Sequence, residues 1–191
     1  MSKKITSLFN FKKLQKFSSA LMLPIAILPA AGLILAIGIS FNIELLANCG
    51  GLIFANLPLL FCVGIVIGLT GDGSSSLSAI ISYMIMNATM GTQLGITAES
   101  VAASNGDYAM ILGVPTLQTG VFGGLIVAIF VYLLYTRFHN IELPQFLGFF
   151  GGKRFVPIIT AVEGLIVGSF FTWPWKPVKQ GIASTPKRGT S

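Results

Sequence analysis

A single carboxylate inside an apolar run is the residue whose type and position most invite chemistry. Glu163 stands about eight residues into the stretch 155–173, FVPIITAVEGLIVGSFFTW. A carboxylate surrounded by hydrocarbon is energetically expensive, and for that reason it often serves a function. The simpler account is a hydrogen bond to a neighbouring helix, or a protonated acid at a protein interface.

Polar residues in the stretch 111–124, ILGVPTLQTGVFGG, are the second candidates. Its glycines, proline, threonines and glutamine predict non-helical backbone that enters the membrane, where such backbone survives only if it is buried in protein or lines a cavity. Thr116, Gln118 and Thr119 are therefore candidate polar lining, and Gln118 and Thr119, with Glu163, are the candidates for substrate binding. Capping of the following helix is the simpler account.

The third candidates are Lys153 and Arg154, a positive pair inside the glycine-rich stretch 147–158, LGFFGGKRFVPI. Its phenylalanines are expected at a membrane interface, where the two cations meet headgroups. A docking or gating role for the cation pair is the functional alternative.

Other polar motifs indicate structure rather than catalysis. Asp72 in GDGSSS, residues 71–76, is expected to cap a helix; no lysine follows, which argues against phosphate binding. The single histidine, His139, is expected to be solvated in a loop. The sequence predicts no catalytic residue, no metal site and no cofactor.

The composition is that of a membrane protein. Of 191 residues, 53% are hydrophobic and 9% charged, whereas soluble domains carry roughly 25% charged residues. The net charge of +6 is therefore read as a topology signal and not as a nucleic-acid footprint. No disulfide is expected between Cys49 and Cys62, and no cleavable signal peptide is evident.

The predicted fold is all-α, with five membrane-spanning helices of about 20 residues. They are placed at 18–39, 52–70, 76–95, 119–136 and 155–173, the third being the most polar. Residues 1–17 are expected to form a basic amphipathic leader with Phe11, Leu14 and Phe17 on one face, a disordered leader being the alternative. Residues 174–191 are an atypical polar, basic tail.

Basic residues set the expected orientation. Five lysines precede the first span, and loops 40–51 and 96–118 contain neither Lys nor Arg, whereas loop 137–154 contains three. The N-terminus and loop 137–154 are therefore predicted to be cytoplasmic, in a bacterial inner membrane. The four cations beyond the fifth span contradict this pattern.

Prolines and glycines indicate how the spans are shaped and packed. Prolines are expected to bend the spans, and three small-xxx-small pairs are expected to pack them closely. The pairs are Gly64/Gly68, Gly120/Gly124 and Gly164/Gly168.

Four stretches carry a family likeness: LQKFSSALMLPIAILPAAGLILAIG (14–38), IFANLPLLFCVGIVIGLTGDG (53–73), LGVPTLQTGVFGGLIV (112–127) and LPQFLGFFGGKRFVPI (143–158). The chain resembles the enzyme IIC membrane domain of glucose-type permeases of the bacterial phosphotransferase system. The likeness is closest to the glucose, N-acetylglucosamine and glucosamine branch.

The resemblance implies a permease that couples hexose uptake to phosphorylation, with the IIB and IIA phosphocarrier domains as partners and the phosphoryl group coming from a IIB cysteine. It also implies about ten spans, of which the first five form mainly a scaffold and dimer interface. The sugar-site histidine and the GITE-type glutamate of the family have no match here. GIT at 95–97 continues as Ala98–Glu99 in a predicted translocated loop.

The sequence is therefore interpreted as the N-terminal half of such a domain, residues 18–173, lacking the sugar site and inactive as a phosphotransferase by itself. Its expected partners are membrane lipids and either a second copy or the missing C-terminal half, and not nucleic acid. The alternative is a non-transporting remnant, or a dimerising or regulatory membrane fragment.

Overall fold

The computed structural model describes the backbone of residues 11–104 and 106–183 and the side chains of residues 15–104 and 106–173. This part of the chain is mainly helical. The α-helices are α1 (Phe11–Ser40), α2 (Glu44–Ala55), α3 (Leu57–Thr70), α4 (Gly73–Leu94), α5 (Ala98–Ala102), α6 (Gly120–Phe138) and α7 (Phe155–Ala183). The strands are β1 (Tyr108–Ile111) and β2 (Val114–Leu117), and two 3-10 helices, Gln145–Phe150 and Gly152–Arg154, precede α7.

The predicted helical membrane fold is confirmed, with a different division of the spans and a short β-hairpin in addition. Three segments are long and apolar enough to cross a bilayer: Gln15–Ser40, Gly120–Phe138 and Gly152–Trp173. The pair α2–α3 passes the same test only as one span bent by 57°. Length and composition thus support three spans, or up to four, in the described residues.

The helix at the third predicted span, α4, is too polar to count as a membrane-spanning helix by its composition. Its packing explains how the bundle accepts these polar side chains. α4 has 22 residues and packs against α3, α6, α7 and strand β2. Its serines 75, 78 and 82 and Asn87 are all buried. Surrounding protein, rather than lipid, receives these side chains, so α4 does not need an apolar surface all round.

The bend of the second span lies at a proline, as the sequence predicts. Asn56 ends α2 and precedes α3, and Pro58 lies in the first turn of α3, where a missing backbone N–H breaks no helical bond. α1, by contrast, continues as one helix through Pro24 and Pro29.

The two ends of the helical region extend beyond the predicted boundaries. Residues 11–17 of the predicted leader continue without a break into the first span as part of α1, and α7 runs past residue 173 to Ala183. The remaining leader and tail residues lie outside the described part of the chain. The two faces proposed for the leader stay a prediction.

Glycines bring the helices together. A Cβ added to Gly164 or Gly168 of α7 would lie 2.6 Å from the Ser82 carbonyl oxygen or 2.8 Å from that of Met86, both on α4. Gly64 and Gly68 of α3 lie equally close to Pro24 and Ala20 of α1.

The remaining predicted glycine pair is only half right. Gly124 faces the backbone of Pro58, with an added Cβ 2.1 Å from its carbonyl oxygen. Gly120, the first residue of α6, has open space around it and therefore does not bring two helices together. Its φ of 58° lies in the left-handed region, which glycine adopts without strain.

The predicted non-helical backbone before α6 is an antiparallel hairpin. Tyr108 pairs with Leu117 and Ile111 with Val114. The hairpin packs on the C-terminal part of α4, where an added Cβ on Gly91 would lie 2.1 Å from the carbonyl oxygen of Pro115. The hairpin and the turn at Asp72 therefore lie at opposite ends of α4, which is about 33 Å long at 1.5 Å per residue.

The substitution Gly164→Ala tests the α4–α7 contact. Its added methyl group must push α7 away from α4, so we expect a loss of about 1–3 kcal/mol in the free energy of unfolding. Gly51→Ala is the matched control, because Gly51 lies within a helix with nothing within 4 Å of an added Cβ. It should be neutral or stabilise by up to about 1 kcal/mol. Unfolding in mixed micelles measures both; equal effects would contradict this packing.

Candidate functional site

The buried carboxyl group lies at the α4–α7 contact. Glu163 is 8% exposed, and the hydroxyl group of Ser82 donates a hydrogen bond to its Oε2. The neighbouring glycine, Gly164, allows the two helices to approach this closely. Oε1 of Glu163 has no hydrogen-bond partner among the described residues. The geometry agrees with the simpler sequence interpretation, a hydrogen bond between helices.

A second polar contact joins the same helices nearer the hairpin. Gln93 Nε2 of α4 donates to Ser169 Oγ at 2.7 Å, and Thr172 Oγ1 donates to Gln93 Oε1 at 2.5 Å. Each hydrogen bond between membrane helices contributes modestly, but together these bonds fix the rotation of α7 about its axis.

Glu163 also lines the outer groove between α6 and α7. This groove has a volume of about 570 Å³ and is otherwise lined by apolar side chains, among them Phe130, Leu134, Ile166 and Phe170. A sugar site requires several convergent hydrogen-bonding groups. A groove with one polar residue is suited to acyl chains or to another helix instead.

A polar cluster around the candidate Lys153 lies at the end of the bundle at which α3 turns into α4. Asp72 caps α4, as predicted, by accepting a hydrogen bond from the Ser74 backbone N–H at 3.1 Å. Its Oδ2 accepts from the Tyr135 hydroxyl at 2.6 Å and lies 2.6 Å from Lys153 Nζ. The cluster therefore joins three elements: the α3–α4 turn, the end of α6 and the segment before α7.

The electrostatics of the cluster keep Asp72 ionised. The hydrogen bond from Lys153, followed by those from Tyr135 and Ser74, holds the pKa of the Asp72 carboxyl well below its usual range. Because this pKa is lowered, the stability it contributes is complete above the ordinary carboxyl pKa of about 3.9 and is lost as the pH falls below that value. The Asp72 side chain is 16% exposed and that of Lys153 60%, so the ion pair is partly screened by water.

The two adjacent cations make different contacts. Lys153 pairs with Asp72, whereas Arg154 Nη1 donates to the Phe149 carbonyl oxygen at 3.3 Å and its guanidinium group lies 4.8 Å from the Phe149 ring centroid. The sequence alone treats them as one pair. The structure separates a cation bound to the bundle from one held against the loop.

The sequence did not predict the contact between His139 and Tyr135. His139 follows the last residue of α6, its ring stacks on that of Tyr135 at 5.1 Å, and its Nδ1 lies 2.9 Å from the Tyr135 carbonyl oxygen. His139 is therefore half-buried and held by Tyr135, which the expectation of a simply solvated histidine did not include. The spacing of four residues within a helix was the available signal.

The other sequence candidates lie in strand β2 and in the segment that joins it to α6. Thr116 is buried and its hydroxyl group donates to the Asn87 carbonyl oxygen at 3.0 Å. Gln118 is exposed, and its backbone N–H donates to the Asp107 carbonyl oxygen. Thr119 precedes α6 but makes no side-chain capping bond, so the capping account is wrong for it. Among the described residues, none of the three forms a hydrogen bond with Glu163.

Within the part of the chain that the structure describes, no group of three or more His, Cys, Asp or Glu side chains could hold a metal ion. Both cysteines are free thiols, Cys49 exposed and Cys62 buried.

Comparison with known proteins decides the family. A family model described as "Phosphotransferase system, EIIC" matches residues 18–186. The chain belongs to this enzyme IIC family. A curated relative, the "PTS system glucose-specific EIICBA component" of Staphylococcus saprophyticus, is 43% identical over 192 residues. That alignment covers 90% of this chain and 28% of the relative, so the chain spans about a quarter of the relative's length. The family likeness predicted from the four sequence stretches is thus confirmed.

The substitution Ser82→Ala tests the hydrogen bond within this enzyme IIC bundle. It leaves Glu163 buried without its donor, and we expect a loss of about 1–3 kcal/mol in the free energy of unfolding. Ser78→Ala is the control: Ser78 is equally buried on the same helix, but its hydroxyl group bonds only to the Ser74 carbonyl oxygen of α4 itself. Unfolding in micelles should show a clear difference. Equal losses would mean that the bond to Glu163 contributes nothing.

Proposed function

We propose that this chain acts in a phosphotransferase-system permease, as a membrane component that helps to couple hexose uptake to phosphorylation. The observation that carries the proposal is the 43% identity, over 90% of the chain, to a protein named as a glucose-specific EIICBA component. That name joins IIC with B and A components, which supports IIB and IIA phosphocarrier domains as partners.

The hexose, in this proposal, is bound mainly by residues that correspond to the rest of the relative's length. The α6–α7 groove supports this division, because its one polar lining residue, Glu163, is already engaged by Ser82. Gln118 and Thr119 lie between β2 and α6 and do not line the groove that contains Glu163. The helices described here then serve as the scaffold against which the sugar-binding part is held.

A second candidate function is that of a non-transporting membrane protein that dimerises or regulates an intact permease. Large apolar side chains on two helices favour it, because they offer surface to a partner helix as well as to lipid. They include Met22, Leu33 and Ile39 of α1 and Ile166, Phe170 and Trp173 of α7.

The proposed location is the bacterial cytoplasmic membrane, with the N-terminus in the cytoplasm. The ion pair between Asp72 and Lys153 supports the proposed topology, since it requires the α3–α4 turn and the segment before α7 to lie on one side. The distribution of lysines and arginines supports the cytoplasm as that side.

Lys153 and Arg154 are proposed to lie where the phosphoryl donor docks. Lys153 is the gating residue of this proposal, because its bond to Asp72 connects the loop to the turn between α3 and α4. A change in that bond would alter the position of the loop relative to the bundle.

Sugar binding separates the two candidate functions. We expect the purified chain in lipid vesicles to show no saturable binding of radiolabelled glucose. A chimera that joins this chain to the remaining length of the Staphylococcus relative should bind glucose and phosphorylate it when phosphoenolpyruvate and the soluble carriers are added. Binding by the isolated chain at micromolar concentration would place the sugar site here. Failure of a correctly inserted chimera would favour the non-transporting function.

Charge reversal in the same chimera tests the gating role. Lys153→Asp places two carboxylates together and should lower phosphotransfer about tenfold, more than it lowers the amount inserted in the membrane. Adding Asp72→Lys restores an ion pair with the signs exchanged and should recover most of the activity. A loss that the exchange does not recover would assign Lys153 to direct docking. An unchanged rate for Lys153→Asp would refute both roles.

A further inference from the structure

The 3-10 helix Gln145–Phe150 exposes a group of large apolar side chains that the proposed function does not use. Phe146 is 84% exposed and Phe149 71%, and Leu147 and Phe150 are also exposed. The rings of Phe149 and Phe150 meet edge to face at 5.4 Å, so the group has a defined arrangement. Contiguous exposed aromatic residues of this kind mark a surface that another phase or another molecule covers.

The position of this aromatic group is set by the two helices beside it. The backbone N–H of Gly152 donates to the Ile141 carbonyl oxygen at 2.9 Å, which closes residues 142–151 into a loop. The rings of Phe138, at the end of α6, and Phe155, at the start of α7, lie 6.0 Å apart. Both α6 and α7 are long and apolar enough to span a bilayer, and this closure keeps the aromatic group at the ends of the two helices.

The charge around the aromatic group is mainly positive. Arg154 is exposed, and its guanidinium group is held over the Phe149 ring and against the Phe149 carbonyl oxygen. Arg137, at the end of α6, is exposed as well, and Glu142 is the exposed acid of the loop. An arginine fixed beside aromatic rings offers bidentate hydrogen bonds to a phosphate group while its aromatic neighbours enter an apolar phase.

We infer that Phe146, Phe149 and Arg154 form a membrane-surface anchor: the two rings insert into the interfacial region of the bilayer, and Arg154 binds the phosphate group of an anionic lipid. The lipid surface is preferred over a soluble protein partner because the group is continuous with two spans and carries the charge that complements anionic headgroups. In this arrangement Arg154 binds the lipid at the edge of the proposed docking region, whereas Lys153, one residue away, bonds to the bundle through Asp72.

Spin labels on the full chain in lipid vesicles test the depth of the loop. In a Cys49→Ser background, labels are attached at Phe146→Cys or Phe149→Cys, with Glu142→Cys as the matched control in the same loop. Cys62 is buried and should not react. We expect the ratio of collisions with oxygen, which enters the bilayer, to collisions with a water-soluble nickel complex to be several-fold higher at positions 146 and 149 than at 142. Equal ratios at the three positions would overturn the anchor.

The headgroup contact is tested by changing the lipid and the cation. In vesicles of phosphatidylcholine containing phosphatidylglycerol, the label at 146 should lie deeper than in phosphatidylcholine alone. Arg154→Gln should abolish that difference, whereas Arg154→Lys, which keeps the charge, should retain part of it. No effect of phosphatidylglycerol on the label at 146 when Arg154 is present would refute lipid binding by Arg154. Labels that stay accessible to the nickel complex until a soluble IIB domain is added would show that a protein covers the surface instead.

Discussion

The close contact between α4 and α7 is the interaction on which the rest of the bundle depends. Two glycines of α7, Gly164 and Gly168, let its backbone lie directly against that of α4, and the Ser82–Glu163 hydrogen bond forms at this point of contact. In a bilayer the hydrophobic effect does not hold helices together, because lipid tails are as apolar as leucine. Backbone proximity and a few buried polar bonds must therefore determine which helices are neighbours.

Several features of the polar cluster around Asp72 follow from that contact. Once α7 is fixed against α4, the segment before α7 ends beside the turn that begins α4, and Lys153 lies within reach of Asp72. α6 packs against both α3 and α4, which brings Tyr135 to the same carboxylate. One carboxylate thus joins three separate elements at one end of the bundle. The hairpin at the other end of α4 is held independently, through Gly91 and Thr116.

The distribution of polar residues in the described part of the chain is that of a helical membrane protein. α4 carries buried serines and an asparagine, and they are accepted because other helices cover them. The groove on the outer side of α6 and α7 is apolar except for Glu163, as lipid or a further helix requires. In the loop before α7, Lys153 pairs with Asp72 of the bundle, whereas its neighbour Arg154 is held against the Phe149 ring.

The sequence by itself determined that the protein belongs in a membrane, which family it resembles and roughly where its helices lie. Hydropathy, glycine and proline positions and motif order are local properties that a sequence records directly. It located the cap at Asp72 and the non-helical segment before α6, and it predicted bends at the prolines, of which the one beside Pro58 is present while α1 continues through Pro24 and Pro29. Only the tertiary structure decided that α4 is a central helix shielded by protein, that Glu163 is bound to Ser82 eighty-one positions away, and that His139 stacks on Tyr135. It also showed that Lys153 and Arg154 make different contacts, with Asp72 and with Phe149 respectively. The physical reason is that helix rotation and neighbour choice arise from contacts between segments distant in sequence, and no local pattern records which carboxylate a lysine will meet.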